Sequence, residues 1–162
     1  MTAEKLTDLP PLPASVRRAA IVSGYFNPLH IGHLDMMESA RALADALVVI
    51  VNNDAQQVMK KGKVITDETD RLRIVNALRV ADAALVAVDE DGSVAASLEV
   101  IHAAYPGLEL TFCNGGDRSP GGDPVPTAES SVCERLGITM VWGVGGEAKA
   151  DSSTRINEAL GI

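Results

Sequence analysis

At 162 residues the chain has the length of one domain and enough residues to bury a substantial core. Its 46% hydrophobic and 22% charged residues suit a globular protein, and a formal charge of −8 argues against a general nucleic-acid or anionic-membrane surface. Two cysteines without metal spacing, no basic-then-apolar leader, and a longest apolar run (Ala46–Val51) far short of a bilayer lead to the expectation of a reduced, cytoplasmic protein.

Residues 1–18 read as an extended leader, because Leu9-Pro10-Pro11-Leu12-Pro13 suits neither helix nor central strand. It is either an inert tail or a contact for a partner subunit. The domain proper is expected over 19–162. Ala19–Val22 is apolar and β-branched, as in a buried strand. Gly24, Asn27 and Pro28 break that pattern into a loop. From Ile31 the apolar residues Ile31, Leu34, Met37 and Ala40 recur at helical spacing.

A strand, a tight loop and a helix start aim backbone N–H groups and a positive dipole end above the sheet, which suits a phosphate. His30 and His33 lie three apart at that helix start, so they share a face and can reach one anion together. Gly32 between them removes a side chain where a ligand would approach. The same pair could hold a metal with Asp35, or simply face solvent.

Ala46–Val51 is a second buried strand, ending at Asn52-Asn53-Asp54. Lys60, Lys61 and Lys63 form the dense positive cluster of an acidic chain, and 56–63 is expected to be a mobile phosphate-binding loop rather than a merely solvated one. Thr66 is the expected N-cap of the next helix. Arg71 sits in its first turn, where an acidic residue would suit the dipole better, which hints at a ligand. Ala83–Val88 is a third strand, and Ser93 is expected to cap a helix to about Ala104. Leu108–Cys113 is a fourth strand running into Asn114-Gly115-Gly116-Asp117. Those glycines permit close ligand approach, and Asp117 can accept from a ribose or base, although an ordinary turn reads the same way. A Pro- and Gly-rich loop spans 119–127. A helix over Glu129–Leu136 and a fifth strand over Ile138–Trp142 follow. Gly143–Ala148 fits a dinucleotide-binding pattern formally, but the chain ends before the acidic residue which that pattern requires. Ser152, Ser153 and Thr154 open the last helix, as caps or as phosphate ligands.

Strands and helices alternate throughout. The fold expected is therefore α/β: one Rossmann-like domain, a five-stranded parallel sheet with helices on both faces. All the candidate ligand residues follow strand ends, at 24–33, 52–63, 114–118 and 143–154, and this convergence is a stronger signal than any one motif.

The stretch Gly24-Tyr25-Phe26-Asn27-Pro28-Leu29-His30-Ile31-Gly32-His33 resembles the HxGH signature of the cytidylyltransferase-like nucleotidyltransferase superfamily, including the glycine–aromatic loop before it. Further likeness lies at Val51–Asp54, Lys60/Lys61, Asp70-Arg71, Gly115-Gly116-Asp117 and Ser152–Ile156. The order is closest to the branch of glycerol-3-phosphate cytidylyltransferase and the adenylyltransferase domain of ADP-heptose synthesis. Asn27-Pro28, Asn114 and Arg118 depart from that branch and leave the acceptor open.

The resemblance implies transfer of CMP or AMP from CTP or ATP to a small phosphomonoester, with Mg²⁺ carried by the triphosphate and pyrophosphate released. It assigns His30, His33, Lys60 and Arg71 to catalysis. Gly24, Tyr25, Phe26, Asn27, Gly32, Gly115, Gly116, Asp117, Ser152, Ser153 and Thr154 would bind nucleotide, with no protein-held metal. No nucleic acid or membrane partner is implied, and homodimers are common in that branch. The alternatives are a catalytically silent nucleotide-binding protein of the same fold and a metal-dependent hydrolase built on His30, His33 and Asp35.

Overall fold

The computed structural model describes residues 6–115, 127–145 and 153–162. Five strands, β1 (Arg18–Gly24), β2 (Ala46–Val51), β3 (Ala83–Val86), β4 (Glu109–Gly115) and β5 (Thr139–Val144), pair in parallel in the order β3-β2-β1-β4-β5. Six helices complete the described chain: α1 (Ile31–Arg41), α2 (Asp54–Lys61), α3 (Glu68–Asn76), α4 (Ala95–Ala104), α5 (Thr127–Leu136) and α6 (Ser153–Ala159). The α/β architecture expected from alternating elements is the one observed.

Strand period divides the core in two. Ala19, Ile21, Val48 and Ile50 point to one face, where Leu98 and Ile101 of α4 and Val132 and Cys133 of α5 cover them. Ala20, Val22, Leu47, Val49 and Val51 point to the other, under Met37 and Ala40 of α1 and Leu72 and Val75 of α3. Every β2 residue is buried, as a central parallel strand covered on both faces requires. Leu9 and Leu12 pack against the α4/α5 face, and the Tyr105 hydroxyl donates to the Pro10 carbonyl at 2.6 Å. No helix among the described residues is long and apolar enough to cross a membrane.

Three local expectations are corrected. Residues 54–61 form helix α2 rather than a loop, with Asn53 as N-cap and Gly62 closing it at φ 78°. Asp67, not Thr66, caps α3; the Thr66 N–H is held instead by Asn27 Oδ1 at 2.9 Å. At the start of α4, the Asp89 carboxylate accepts from the Ala96 and Ser97 N–H groups at 2.6 and 3.1 Å, while Ser93 Oγ accepts only a 3.3 Å bond from Ala95 N–H. A shorter carboxylate contact at a helix N-terminus outweighs a longer hydroxyl one.

The chain runs β1 to β2 to β3 in one direction and then returns to place β4 on the other side of β1. That reversal opens a crevice above the carboxyl ends of β1 and β4, where open α/β sheets bind ligands. Gly24 ends β1 there and Gly115 ends β4.

Candidate active site

The crevice is built around the β1–α1 loop. His30 is the N-cap of α1, and its Nδ1 accepts from the Gly32 N–H at 3.0 Å. His33 Nδ1 reaches back to accept from the His30 N–H at 3.2 Å, so the two imidazoles form a reciprocal capping box. In each neutral ring an accepting Nδ1 assigns the proton to Nε2, which makes Nε2–H the ring's donor. The rings stack at 3.8 Å between centroids, and Phe26 meets His33 edge-on at 4.9 Å.

Phe26 holds this pose at φ 52°, an unusual conformation for a side chain of its size. Gly24 makes room for it: a Cβ there would lie 2.7 Å from the Phe26 ring. Asn27 is buried and precedes a cis peptide to Pro28. From the far end of the chain, Ser153 Oγ donates to the Pro28 carbonyl at 2.8 Å and Asn157 Nδ2 to the Asn27 carbonyl at 3.3 Å. Lys61 Nζ donates to Thr154 Oγ1 at 3.4 Å. The hydroxyls of α6 and the lysines of α2 thus meet the loop that carries His30.

Arg71 does not reach the crevice as a ligand would. It is 1% exposed. Its Nε donates to Thr66 O at 2.8 Å, its Nη1 to Tyr25 O and Asn52 O at 2.7 Å each, and its Nη2 to Asp54 Oδ1 at 2.7 Å. The expectation that it contacts substrate is corrected: the guanidinium fork matches carbonyls from three separate loops, and its first-turn position is explained by that internal anchorage.

A cleft of about 270 Å³ lies at the carboxyl ends of β1 and β2, with Tyr25 of the β1–α1 loop in its wall. Tyr25, Asn52, Met59, Lys60, Val94 and Glu129 are among its walls. Lys60 Nζ sits 4.6 Å from the centre of the Tyr25 ring, a cation–π distance. Glu129 is 2% exposed, and its Oε2 accepts from the Val94 N–H at 2.9 Å. Gln56, also a wall residue, bonds Asn52 Nδ2 and the Asn53 N–H through Oε1 and the Asp91 and Ser93 carbonyls through Nε2. Gln56 and Glu129 carry no motif signal. A Gln and a Glu at polar-looking positions read as surface, and only their burial reveals them. Burial, with Glu129 one turn away, pushes the Cys133 thiol up to about 11, and burial does the same to Cys113.

His30, His33, Gly24, Tyr25, Phe26, Asn27 and Gly32 therefore share one loop and helix start, with Lys60, Ser153 and Thr154 brought to it from α2 and α6. Gly115 ends β4 across the switch point. Gly116, Asp117 and Ser152 lie outside the described residues, as does most of the 119–127 loop. Among the described residues no three His, Cys, Asp or Glu side chains are grouped to hold a metal ion.

The family model described as cytidylyltransferase-like matches residues 21–161. The bifunctional protein HldE of Koribacter versatilis is 34% identical over 107 residues, 65% of this chain and 20% of that protein. FAD synthase of Methanosarcina acetivorans is 40% identical over 81 residues, 50% of this chain and 53% of that one. The chain thus spans about half or less of the length of these curated relatives. The crystal structure of the lipopolysaccharide core biosynthesis protein from Thermoplasma volcanium superposes with a TM-score of 0.58 at 26% identity, covering 83% of this chain and 98% of that one.

Proposed function

This chain belongs to the cytidylyltransferase-like family, and we propose that it transfers a nucleotidyl group from CTP or ATP to a small phosphomonoester, releasing pyrophosphate. The observation that carries this reading is the reciprocal His30–His33 cap at the switch point, which gives both rings the Nε2–H tautomer at the start of α1. An oxygen of the acceptor phosphate attacks the α-phosphorus. The bond from that phosphorus to the bridging oxygen breaks, and the pyrophosphate leaves with the electron pair.

The nucleophile is already anionic, so catalysis consists of bringing anions together and stabilising charge as it spreads over the α-phosphate. His30 and His33 donate to the triphosphate, aided by the α1 N-terminus. Lys60 bridges acceptor and α-phosphate. The Ser153 and Thr154 hydroxyls and Lys61 lie toward the leaving phosphates. Arg71 is a positioning residue that fixes the Tyr25, Asn52 and Thr66 backbones around the cleft. Mg²⁺ would bind through the triphosphate and neutralise part of its charge.

Purified protein with Mg²⁺, CTP or ATP, and a panel of phosphomonoesters should release pyrophosphate stoichiometrically with a nucleoside-diphosphate-linked product. Tight binding of a triphosphate without pyrophosphate from any acceptor would favour the catalytically silent alternative.

A further inference from the structure

We infer that Tyr25 is a positioning residue: its ring face holds the Lys60 ammonium at the cleft wall, and so chooses which of two adjacent lysines meets phosphate. This rests on the transfer reading above. Lys60 and Lys61 both stand in the last turn of α2. Consecutive helical residues point about 100° apart, and these two diverge accordingly. Lys61 Nζ reaches Thr154 Oγ1 at 3.4 Å, whereas Lys60 Nζ lies 4.6 Å from the centre of the Tyr25 ring. Of the two, only Lys60 lines the cleft, and Tyr25 lines it with it.

The two partners differ in freedom. Lys60 is exposed, and an exposed lysine on its four-carbon stem samples many rotamers. The Tyr25 backbone is fixed on both sides. Its carbonyl accepts from Nη1 of the buried Arg71 at 2.7 Å. The next residue, Phe26, sits at φ 52° over Gly24, where a Cβ would lie 2.7 Å from its ring. The Tyr25 ring is therefore a rigid surface offered to a flexible cation. A carboxylate in its place would hold the ammonium by cancelling its charge. A ring face attracts it through a quadrupole and does not itself cancel that charge before a phosphate arrives. Ordering Lys60 in advance spares the transfer step that loss of rotamer freedom.

The test compares Tyr25→Phe, the same variant with one, two and three ring fluorines, and Tyr25→Leu. Its readouts are pyrophosphate release, triphosphate binding by calorimetry, and the Hε resonances of ¹³Cε-labelled Lys60. Fluorine drains negative charge from the ring face at nearly constant shape, so a packing role would not follow it. Turnover should fall stepwise with each fluorine, by about 3–10-fold in all, between the worth of an exposed and of a desolvated cation–π contact. Tyr25→Leu should show the full loss and Tyr25→Phe should restore it. In a Lys60→Ala background, Tyr25→Leu should cost nothing further. The Lys60 Hε protons, assigned by their disappearance in Lys60→Arg, should carry an upfield ring-current shift in wild type and Tyr25→Phe that Tyr25→Leu abolishes. The fluorinated series keeps the ring, so it stands even if Tyr25→Leu folds poorly. Equal turnover across that series, a Tyr25→Leu loss that persists in Lys60→Ala, or no ring-current shift in wild type overturns the inference and leaves the transfer reading intact. Triphosphate binding that weakens with each fluorine, without pyrophosphate from any acceptor, supports the inference and overturns the transfer reading. Absence of both the shift and pyrophosphate release overturns both.

Discussion

His33 and Arg71 both bond the backbone of the loop after β1, yet they should fail in different ways. Arg71 directs four N–H donors into the protein, to three carbonyls and the Asp54 carboxylate. Arg71→Ala leaves those acceptors without a partner and should cost about 3–5 kcal/mol, the usual penalty for breaking a buried ion pair. A denaturant titration reads this directly. His33 gives the backbone one Nδ1 lone pair, and under the proposed transfer its Nε2–H is the donor to the triphosphate. His33→Ala should lower kcat by about 10²–10³ while costing about 1 kcal/mol of stability, as the loss of a helix cap does. A His33 variant with wild-type turnover would remove the imidazole from the transition state. The sequence pointed to them for different reasons, His33 for its spacing from His30 at a helix start and Arg71 for a basic residue in a first turn that would suit an acid. Only burial separates them, because a guanidinium matched to backbone carbonyls looks, in one dimension, like one waiting for a ligand.

At the scale of elements, apolar periodicity revealed β1, β2 and α1, because their buried faces are hydrophobic. It failed at α2, which buries Gln56 and Gln57 while leaving Val58 and Met59 about half exposed. A helix whose inner face is amide carries no apolar stripe, so 56–63 read as a loop with a charge run. What holds it is the Gln56 network tying α2 to Asn52, Asn53 and the carbonyls of Asp91 and Ser93. Gln56→Leu keeps the volume and leaves those buried groups unpaired. It should cost about 2–4 kcal/mol and raise the acceptor KM, since Met59 and Lys60 ride on the same helix. Urea unfolding together with acceptor titration checks both effects. A loss below about 1 kcal/mol would mean the amide network does not anchor α2.

Across the whole molecule the two edges of the sheet divide the labour. The candidate chemistry lies at the carboxyl edge. The opposite edge is tied by Asp45, whose carboxylate accepts from the Arg17 and Arg18 N–H groups at 3.0 Å each, where β1 begins. Those two backbone bonds hold the Asp45 pKa below its ordinary 3.8. A depressed folded-state pKa means that the folded chain favours the ionised form. The stability Asp45 contributes is therefore present above pH 3.8 and is lost as pH falls through the lower folded value. Asp45→Asn should thus unfold more easily than wild type at pH 7, and the difference should shrink toward zero in acid below the folded pKa. Because the leading causes are backbone hydrogen bonds rather than distant charges, added salt should leave most of the difference in place. Thermal melts of both proteins across pH 2.5–7 check this, and a difference constant with pH would contradict it. Pyrophosphate release at pH 7 should be the same for both proteins below their melting range, since the change lies at the sheet edge away from the His pair.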